Sequence, residues 1–385
     1  MQTKLNYKKI GLLADLHFGR KNNSKFFSSH LEDYLYNTFL PACEKDNVDA
    51  VFILGDLWES RRTINVIIFH IVNKFIAEVT KRFPTYLLIG NHDLYFASSF
   101  ENNLLSLLEN ENNKNLFIID DFIELNCNKN SILLCPYITK NNIEFFRNKL
   151  KKEYDYIFGH FNILEFYEGL SQLKINEMKK HSEEFSIKDF KVKRGVKSGH
   201  IHFHQKKGKI TYIGSPLQYS FAHVGREQGA EILNLETHKS KFIKNNTDLY
   251  FKFIIETPEK FEHVKNNIPK IKDKLIKIYL TNKTPEDLRI NIQDYFTLVG
   301  NDFYFFDIID VQKDEDYDNE EVSEKNILNS ISEDNLFKFI DELLSNFDAL
   351  TDEEIKSIKD LFSDLFIDSK KIIDEKNKSL EEGED

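Results

Sequence analysis

Tyr86-Leu87-Leu88-Ile89-Gly90-Asn91-His92-Asp93 decides how this chain is read. The four apolar residues make a short buried strand, and Gly90 allows a sharp bend at its end. Asn and Asp after a glycine ordinarily mark a turn and nothing more. Four other blocks give this turn a different meaning: Asp15-Leu16-His17, Gly55-Asp56, Gly159-His160 and Gly199-His200-Ile201-His202. Three of the four close an apolar, strand-like run, from Lys9 to Ala14, from Ala50 to Leu54 and from Tyr154 to Phe158. The run from Val192 to Ser198 before Gly199 is less regular. In an open α/β sheet, ligands gather at the carboxyl ends of strands. The pattern therefore predicts that Asp15, His17, Asp56, Asn91, His92, His160, His200 and His202 converge in space.

Working outward, residues 9 to about 235 alternate strand-like and helix-like segments. A helical stretch holds Phe26, Leu31, Tyr34, Leu35 and Phe39. A second starts near Thr63, with Ile64, Ile67, Ile68, Ile71, Val72, Phe75, Ile76 and Val79 at helical spacing. A third is expected around Phe100 to Leu108, and a fourth from Phe145 to Lys151. Strands interleaved with helices imply an α/β sandwich. Asn245-Asn246-Thr247-Asp248 is a polar break, and the strand–helix pattern restarts beyond it. Pro258 and Pro285 suit first-turn helix positions there. The expected division is 1–246 for the first domain, 247–312 for a small α/β domain, and 313–385 for an acidic linker and helical tail. The tail carries two apolar stripes, Leu336 to Leu344 and Ile355 to Leu365, the second after the capping box Thr351-Asp352-Glu353-Glu354.

With 385 residues the chain is long enough for two or three domains and a sizeable core. Its net charge of −11 argues at first against a polyanionic partner. The distribution reverses that reading. Residues 310–385 hold 25 Asp/Glu against 9 Lys, whereas residues 1–309 hold 43 Lys/Arg against 38 Asp/Glu. The body is thus slightly basic and compatible with nucleic acid. No apolar run is long enough for a membrane span, and the polar amino terminus does not read as a secretory signal. Cys43, Cys127 and Cys135 lack metal-site spacing and fit reduced thiols of a cytoplasmic protein.

Asp, Asn and imidazole together form a ligand set that suits Mn²⁺, Fe²⁺ or Zn²⁺ better than Ca²⁺. Two ions with a bridging carboxylate would clamp the attacking and leaving oxygens of phosphoryl transfer and activate water. No cysteine stands at any of the blocks, so metal-activated water is the simplest chemistry.

The five blocks, in this order, resemble the motifs of the calcineurin-like metallophosphoesterase superfamily. The closest likeness is to SbcD-type nuclease subunits and their phage recombination-endonuclease counterparts. It is carried by Ala14 to Gly19, Gly55-Asp56-Leu57-Trp58-Glu59, Gly90 to Leu94, Gly199 to His202 and Tyr212-Ile213-Gly214-Ser215-Pro216. The resemblance covers residues 8–235 and, more loosely, the later layout. It implies a metallophosphoesterase β-sandwich flanked by helices, with a capping domain and a C-terminal helical tail. By the same resemblance, Asp15, His17, Asp56 and His202 would hold one ion, and Asp56, Asn91, His160 and His200 the other. His92 would stabilise the transition state or protonate the leaving oxygen, and Asp93 would orient His92. One departure is Glu59, where many cellular members carry a second catalytic histidine and phage-type members often have an acidic residue.

What the resemblance further implies is a DNA nuclease, exonuclease on duplex and endonuclease on single strands, using two Mn²⁺ (Mg²⁺, Fe²⁺ or Zn²⁺ as alternatives). It implies a homodimer that joins an SbcC-type SMC-like ATPase in a heterotetramer, acting in recombination and double-strand-break repair. The tail helices would dock on the ATPase. Arg20, Lys21, Arg61 and Arg62 are candidates for contact with DNA phosphates, set against the plainer reading of charged surface loops. Trp58 and Phe203 are candidates for base stacking, with core packing the stronger expectation. Two other functions stand beside the nuclease. A general metallophosphoesterase would act on nucleotides or phosphoproteins. A metal-free scaffold is disfavoured, because no ligand position in the motifs is degenerate.

Overall fold

The computed structural model describes residues 3–96, 100, 102–109, 112–167, 183–300, 303–311, 356–358 and 361. Two compact units are present. The first comprises Met1–Phe253, Asn267–Lys277 and Leu298–Asp307; the second comprises Ile254–Asn266, Ile278–Thr297 and Ile308–Asp385.

The first unit contains two large sheets. One has six strands in the order Ser240–Lys244, Gly229–Asn234, Lys9–Leu13, Ala50–Ile53, Thr85–Leu88, Leu116–Ile119. Its last four strands run parallel to one another. The other has seven, in the order Thr3–Leu5, Ile123–Cys127, Asn130–Leu134, Tyr154–His160, Val192–Gly199, Ile210–Tyr212, Gln205–Lys207. Within it, Asn130–Leu134, Tyr154–His160 and Val192–Gly199 are parallel.

Period-two alternation sends successive side chains to opposite faces of a strand. Ile10, Leu12, Phe52 and Leu88 of one sheet join Leu125, Ile132, Leu134 and Phe158 of the other in one buried cluster. Phe52 and Phe158 meet edge-to-face at 5.7 Å, which places the two sheets face to face. Leu13, Val51, Ile53 and Leu87 turn the other way and pack with Phe27, Leu31, Tyr34 and Phe39, and with Val72, Phe75 and Val79 of the helix Val66–Arg82. On the outer face of the second sheet, Leu133, Ile157 and Val196 pack with Ile143 and Phe146 of the helix Ile143–Lys149. Strands buried on both faces read as continuous apolar runs, which is why they were legible in the sequence. The fold is the expected β-sandwich flanked by helices.

Beyond residue 246 lies a three-stranded sheet in the order Tyr250–Ile255, Leu275–Thr281, Phe305–Val311, with helices Pro258–Ile271 and Glu286–Val299. In the second unit, Phe261 packs edge-on against Tyr295 at 5.5 Å, and Thr284 Oγ1 donates to the Ile255 carbonyl at 2.7 Å. The tail stripes lie outside the described residues, apart from 356–358 and 361.

One local expectation is corrected. The helix foreseen at Phe100 to Leu108 is a short 3₁₀ turn, Leu104–Leu108. The Asn103 side chain accepts from the Ser106 amide at 3.0 Å and begins the turn late. The Leu104 amide is taken by the Asp93 carbonyl at 2.8 Å. The hairpin strand Gln205–Lys207 lacks an apolar pattern and was not foreseen.

Candidate metal centre

Five strand ends feed the site, three from the six-stranded sheet and two from the seven-stranded one. Lys9–Leu13 delivers Asp15 and His17, and Ala50–Ile53 delivers Asp56. Thr85–Leu88 precedes Asn91 and His92; Tyr154–His160 ends at His160 and Val192–Gly199 just before His200. The first two loops are laced by main-chain bonds: Asp15 N to Gly55 O at 3.1 Å, His17 N to Asp56 O at 3.0 Å and Phe18 N to Leu57 O at 2.9 Å. Asp15, His17, Asp56 and His200 have φ of 53°, 46°, 54° and 97°, in the left-handed region that non-glycine residues rarely enter. Strain of this kind persists only where surrounding structure enforces it, and it concentrates at functional sites. The close approach also explains Gly90: a Cβ there would fall 2.2 Å from the Asp56 amide nitrogen.

The predicted ligands converge. Asp15, His17 and His202 offer ligand atoms within 4.8 Å of one another, as do Asp15, Asp56 and His160, and also His17, Asp56 and His92. His17 Nε2 is 3.0 Å from His202 Nε2 and 3.6 Å from Asp56 Oδ2. His160 Nε2 is 3.3 Å from Asp56 Oδ2 and 3.0 Å from Asn91 Oδ1, and His200 Nδ1 is 3.1 Å from the same Asn91 oxygen. Asp56 therefore stands between the two halves of the cluster. His92 packs edge-on to His17 with ring centroids 4.8 Å apart.

The donor set fits divalent cations on this structure's own geometry. Asp15 Oδ2 is buried and accepts no hydrogen bond. Two imidazole Nε2 atoms face each other at hydrogen-bond distance, where only one of them can carry the bridging proton. Burial pushes Asp15 up to about 7 and draws His200 down to about 3. Burial likewise lowers His17 and His202. For His160, burial works against the charged form, but the Asp56 carboxylate outweighs it and raises the imidazole to about 9. A buried Asp15 drawn toward its protonated form and three imidazoles, His17, His200 and His202, drawn toward neutrality mark a site short of positive charge. Divalent ions would supply it while displacing the protons.

Asp93 and His92 depart from the expected partnership. The buried Asp93 carboxylate accepts from the amides of Gly90 at 2.8 Å, Asp56 at 2.9 Å and Trp58 at 3.1 Å. It clamps two loops by their backbones. The His92 ring is instead held at Nδ1 by the Glu59 carbonyl, 2.7 Å away. The reason is geometric: the turn after Gly90 folds Asp93 inward, where unpaired amides need an acceptor.

Among the candidate phosphate contacts, Arg20 donates to Glu59 Oε1 at 2.6 Å. Burial would raise the Glu59 carboxyl, but His17 and Arg20 beside it hold it down at about 2. Lys21 and Arg62 are exposed and Arg61 is half-buried. Trp58 is 2 % exposed and stacks on Phe69, so it belongs to the core. Phe203 is half-buried under the Arg226 guanidinium, 4.8 Å away. Sequence reasoning missed Tyr219, whose hydroxyl donates to the carbonyls of Asp15 at 3.1 Å and Leu16 at 2.6 Å. It also missed the Leu54 carbonyl, 2.9 Å from His160 Nδ1. Neither position carries a motif.

The family model described as calcineurin-like phosphoesterase matches residues 8–204, just over half of the chain and every block of the site. The chain belongs to the calcineurin-like phosphoesterase family. Among similar proteins, the SbcD component of the nuclease SbcCD from Staphylococcus epidermidis is 26% identical over 264 residues, which cover 60% of this chain and 67% of that one. "Exonuclease subunit 1" of Enterobacteria phage T4 is 24% identical over 62% of this chain and 68% of its own. "Putative phosphoesterase 078R" of Invertebrate iridescent virus 3 is 27% identical over 56% of this chain and 59% of its own. The fold, the family and its nuclease and phosphoesterase relatives together support a metal-dependent phosphoesterase or nuclease. Among the described residues, no helix is long and apolar enough to cross a membrane.

Proposed function

We propose that this calcineurin-like phosphoesterase is a two-metal DNA nuclease acting on duplex ends and on single strands. The observation that carries the reading is the meeting of seven candidate ligands, Asp56 at their middle, with Asp15 Oδ2 left unpaired at its edge. The nuclease and exonuclease names of its relatives point from phosphoesters in general to nucleic acid, of which DNA is the substrate proposed. Asp15, His17, Asp56 and His202 would hold one ion, and Asp56, Asn91, His160 and His200 the other, with Mn²⁺ proposed among the ions, Fe²⁺ and Zn²⁺ included, that suit this set. Bound there, the ions supply Lewis-acid charge and activate water for attack on phosphorus.

The remaining steps belong to the chain. The Glu59 carbonyl fixes Nδ1 of His92, so Nε2 is the nitrogen available to the leaving oxygen. Asp93 keeps the loops of Asp56 and Asn91 in register by accepting from their backbones. Arg20, with Lys21, Arg61 and Arg62, would receive DNA phosphates at the rim. Residues 247–312 would act as a capping domain that shapes the DNA groove. The tail from 313 would dock on an SMC-like ATPase, with the chain as a homodimer in a cytoplasmic repair and recombination complex.

The test is hydrolysis of labelled linear duplex and single-stranded DNA with Mn²⁺, by the wild type and by His92→Ala, beside a chromogenic phosphodiester. DNA cleavage that needs Mn²⁺ and vanishes in His92→Ala supports the nuclease. Turnover of the small diester with intact DNA, repeated after an SMC-like ATPase is added, moves the assignment to a general phosphoesterase of nucleotides or phosphoproteins.

A further inference from the structure

We infer that Glu59 is a positioning residue that sets two imidazoles of the centre at once, His17 through its carboxylate and His92 through its main-chain carbonyl. The inference rests on the metallophosphoesterase reading and deepens it.

Glu59 Oε2 lies 2.8 Å from His17 Nδ1. Both atoms are buried, and neither has another hydrogen-bond partner. The contact lies within hydrogen-bond reach, with its angle off-line as it stands. A buried carboxylate oxygen and a buried ring nitrogen that face only each other share the proton between them. A neutral imidazole has one N–H. Placing it on Nδ1 leaves the Nε2 lone pair free, and Nε2 is the atom turned toward Asp56 and His202. Carboxylate partners of this kind fix the tautomer and raise the basicity of metal-binding histidines.

The same residue fixes the second ring from its backbone. Its carbonyl oxygen lies 2.7 Å from His92 Nδ1, which leaves His92 Nε2 unclaimed. Its amide donates to the Phe18 carbonyl at 3.0 Å, so it is tied to the segment that carries His17. The Arg20 guanidinium takes Oε1 and keeps Oε2 for His17. Glu59 therefore does not serve as a proton donor in place of the histidine that many cellular relatives carry there, since both carboxylate oxygens are engaged inward. Side-chain substitution should disturb His17 and the ion it would hold while leaving His92 in place, because the carbonyl survives any such change.

The experiment uses the full chain, stripped of metal, titrated with Mn²⁺ by calorimetry for wild type, Glu59→Gln and Glu59→Ala. Circular dichroism of each variant checks the fold. Glu59→Ala is expected to weaken Mn²⁺ binding by about 10–100-fold, as loss of a ligand's carboxylate partner does elsewhere. Glu59→Gln keeps one acceptor oxygen, loses the charge and turns the other oxygen into an amide donor, so it should fall between the two. At saturating Mn²⁺ the kcat for a chromogenic phosphodiester should recover toward wild type, because His92 is still held. Mn²⁺ affinity within twofold of wild type in Glu59→Gln overturns the inference, and this isosteric variant decides alone if Glu59→Ala does not fold. A lower thermal midpoint with unchanged Mn²⁺ affinity means a merely structural contact and also overturns it. A wild type that binds no divalent ion sinks the metallophosphoesterase reading itself, a failure distinct from the others.

Discussion

Asp93→Ala is the perturbation that most directly tests how the centre is held together. The buried carboxylate accepts three main-chain N–H groups, from Gly90, Asp56 and Trp58. Each buried donor left unpaired costs about 1–3 kcal/mol, so the three together cost about 3–9 kcal/mol. One term runs the other way. Burial raises Asp93 from 3.8 to about 6. At neutral pH its ionisation therefore opposes folding, by about 3 kcal/mol for roughly two pKa units. Alanine is relieved of that cost. The net expectation is a loss of about 0–6 kcal/mol, centred near 3 kcal/mol, with metal absent and pH neutral. Urea unfolding followed by far-UV circular dichroism in excess chelator measures it, because the chelator removes any contribution from bound ions. His92→Ala is the control: its half-buried ring hangs from one carbonyl, and its removal should cost less than about 1 kcal/mol. If Asp93 acted through His92, the two variants would lose similar, small amounts. Equal losses below about 1 kcal/mol would refute the backbone clamp.

Lys197 is 7 % exposed and its ammonium pairs with buried Glu231, with Ser240 Oγ at 3.0 Å as a second partner. Lys197→Met strands a buried carboxylate and should cost about 3–5 kcal/mol in urea unfolding, whereas Lys197→Met combined with Glu231→Leu should recover most of it. His223 is buried and accepts from the Tyr219 amide at Nδ1, 3.3 Å away, and burial lowers it from 6.5 to about 3. The folded state thus resists its protonation. The neutral ring's contribution is complete above 6.5 and is lost as pH falls toward about 3. His223→Asn keeps an acceptor and cannot be protonated in this range. Its unfolding free energy should fall less steeply than wild type's between neutral and mildly acidic pH, by about 2 kcal/mol over two pH units. Parallel curves would sink the assignment.

The centre was legible because most of its ligands follow a run of apolar residues, and a strand buried on both faces has no polar face to blur it. Gly11-Leu12-Leu13-Ala14 and Val51-Phe52-Ile53-Leu54 could be read as strands without knowing their partners. Once parallel strands are side by side, their carboxyl ends must meet, and so must Asp15, His17 and Asp56. What stayed hidden is everything held by backbone groups of another loop. Asp93 looks like a side-chain partner for its neighbour His92, yet three amides from two loops claim it first. An unpaired buried amide costs more than an unoriented, half-exposed imidazole, so the carboxylate goes inward. Glu59 was visible only as a departure from a pattern, because the feature that gives it a role is the 2.7 Å approach of its carbonyl to His92. Main-chain carbonyls are the same in every residue and leave no trace in a sequence. In a loop-built site on a rigid sheet, ligand identity is therefore readable from side chains, while orientation rests on the backbone and needs coordinates. That division explains why Glu59→Gln and His92→Ala are expected to separate metal affinity from proton transfer, although the two residues touch.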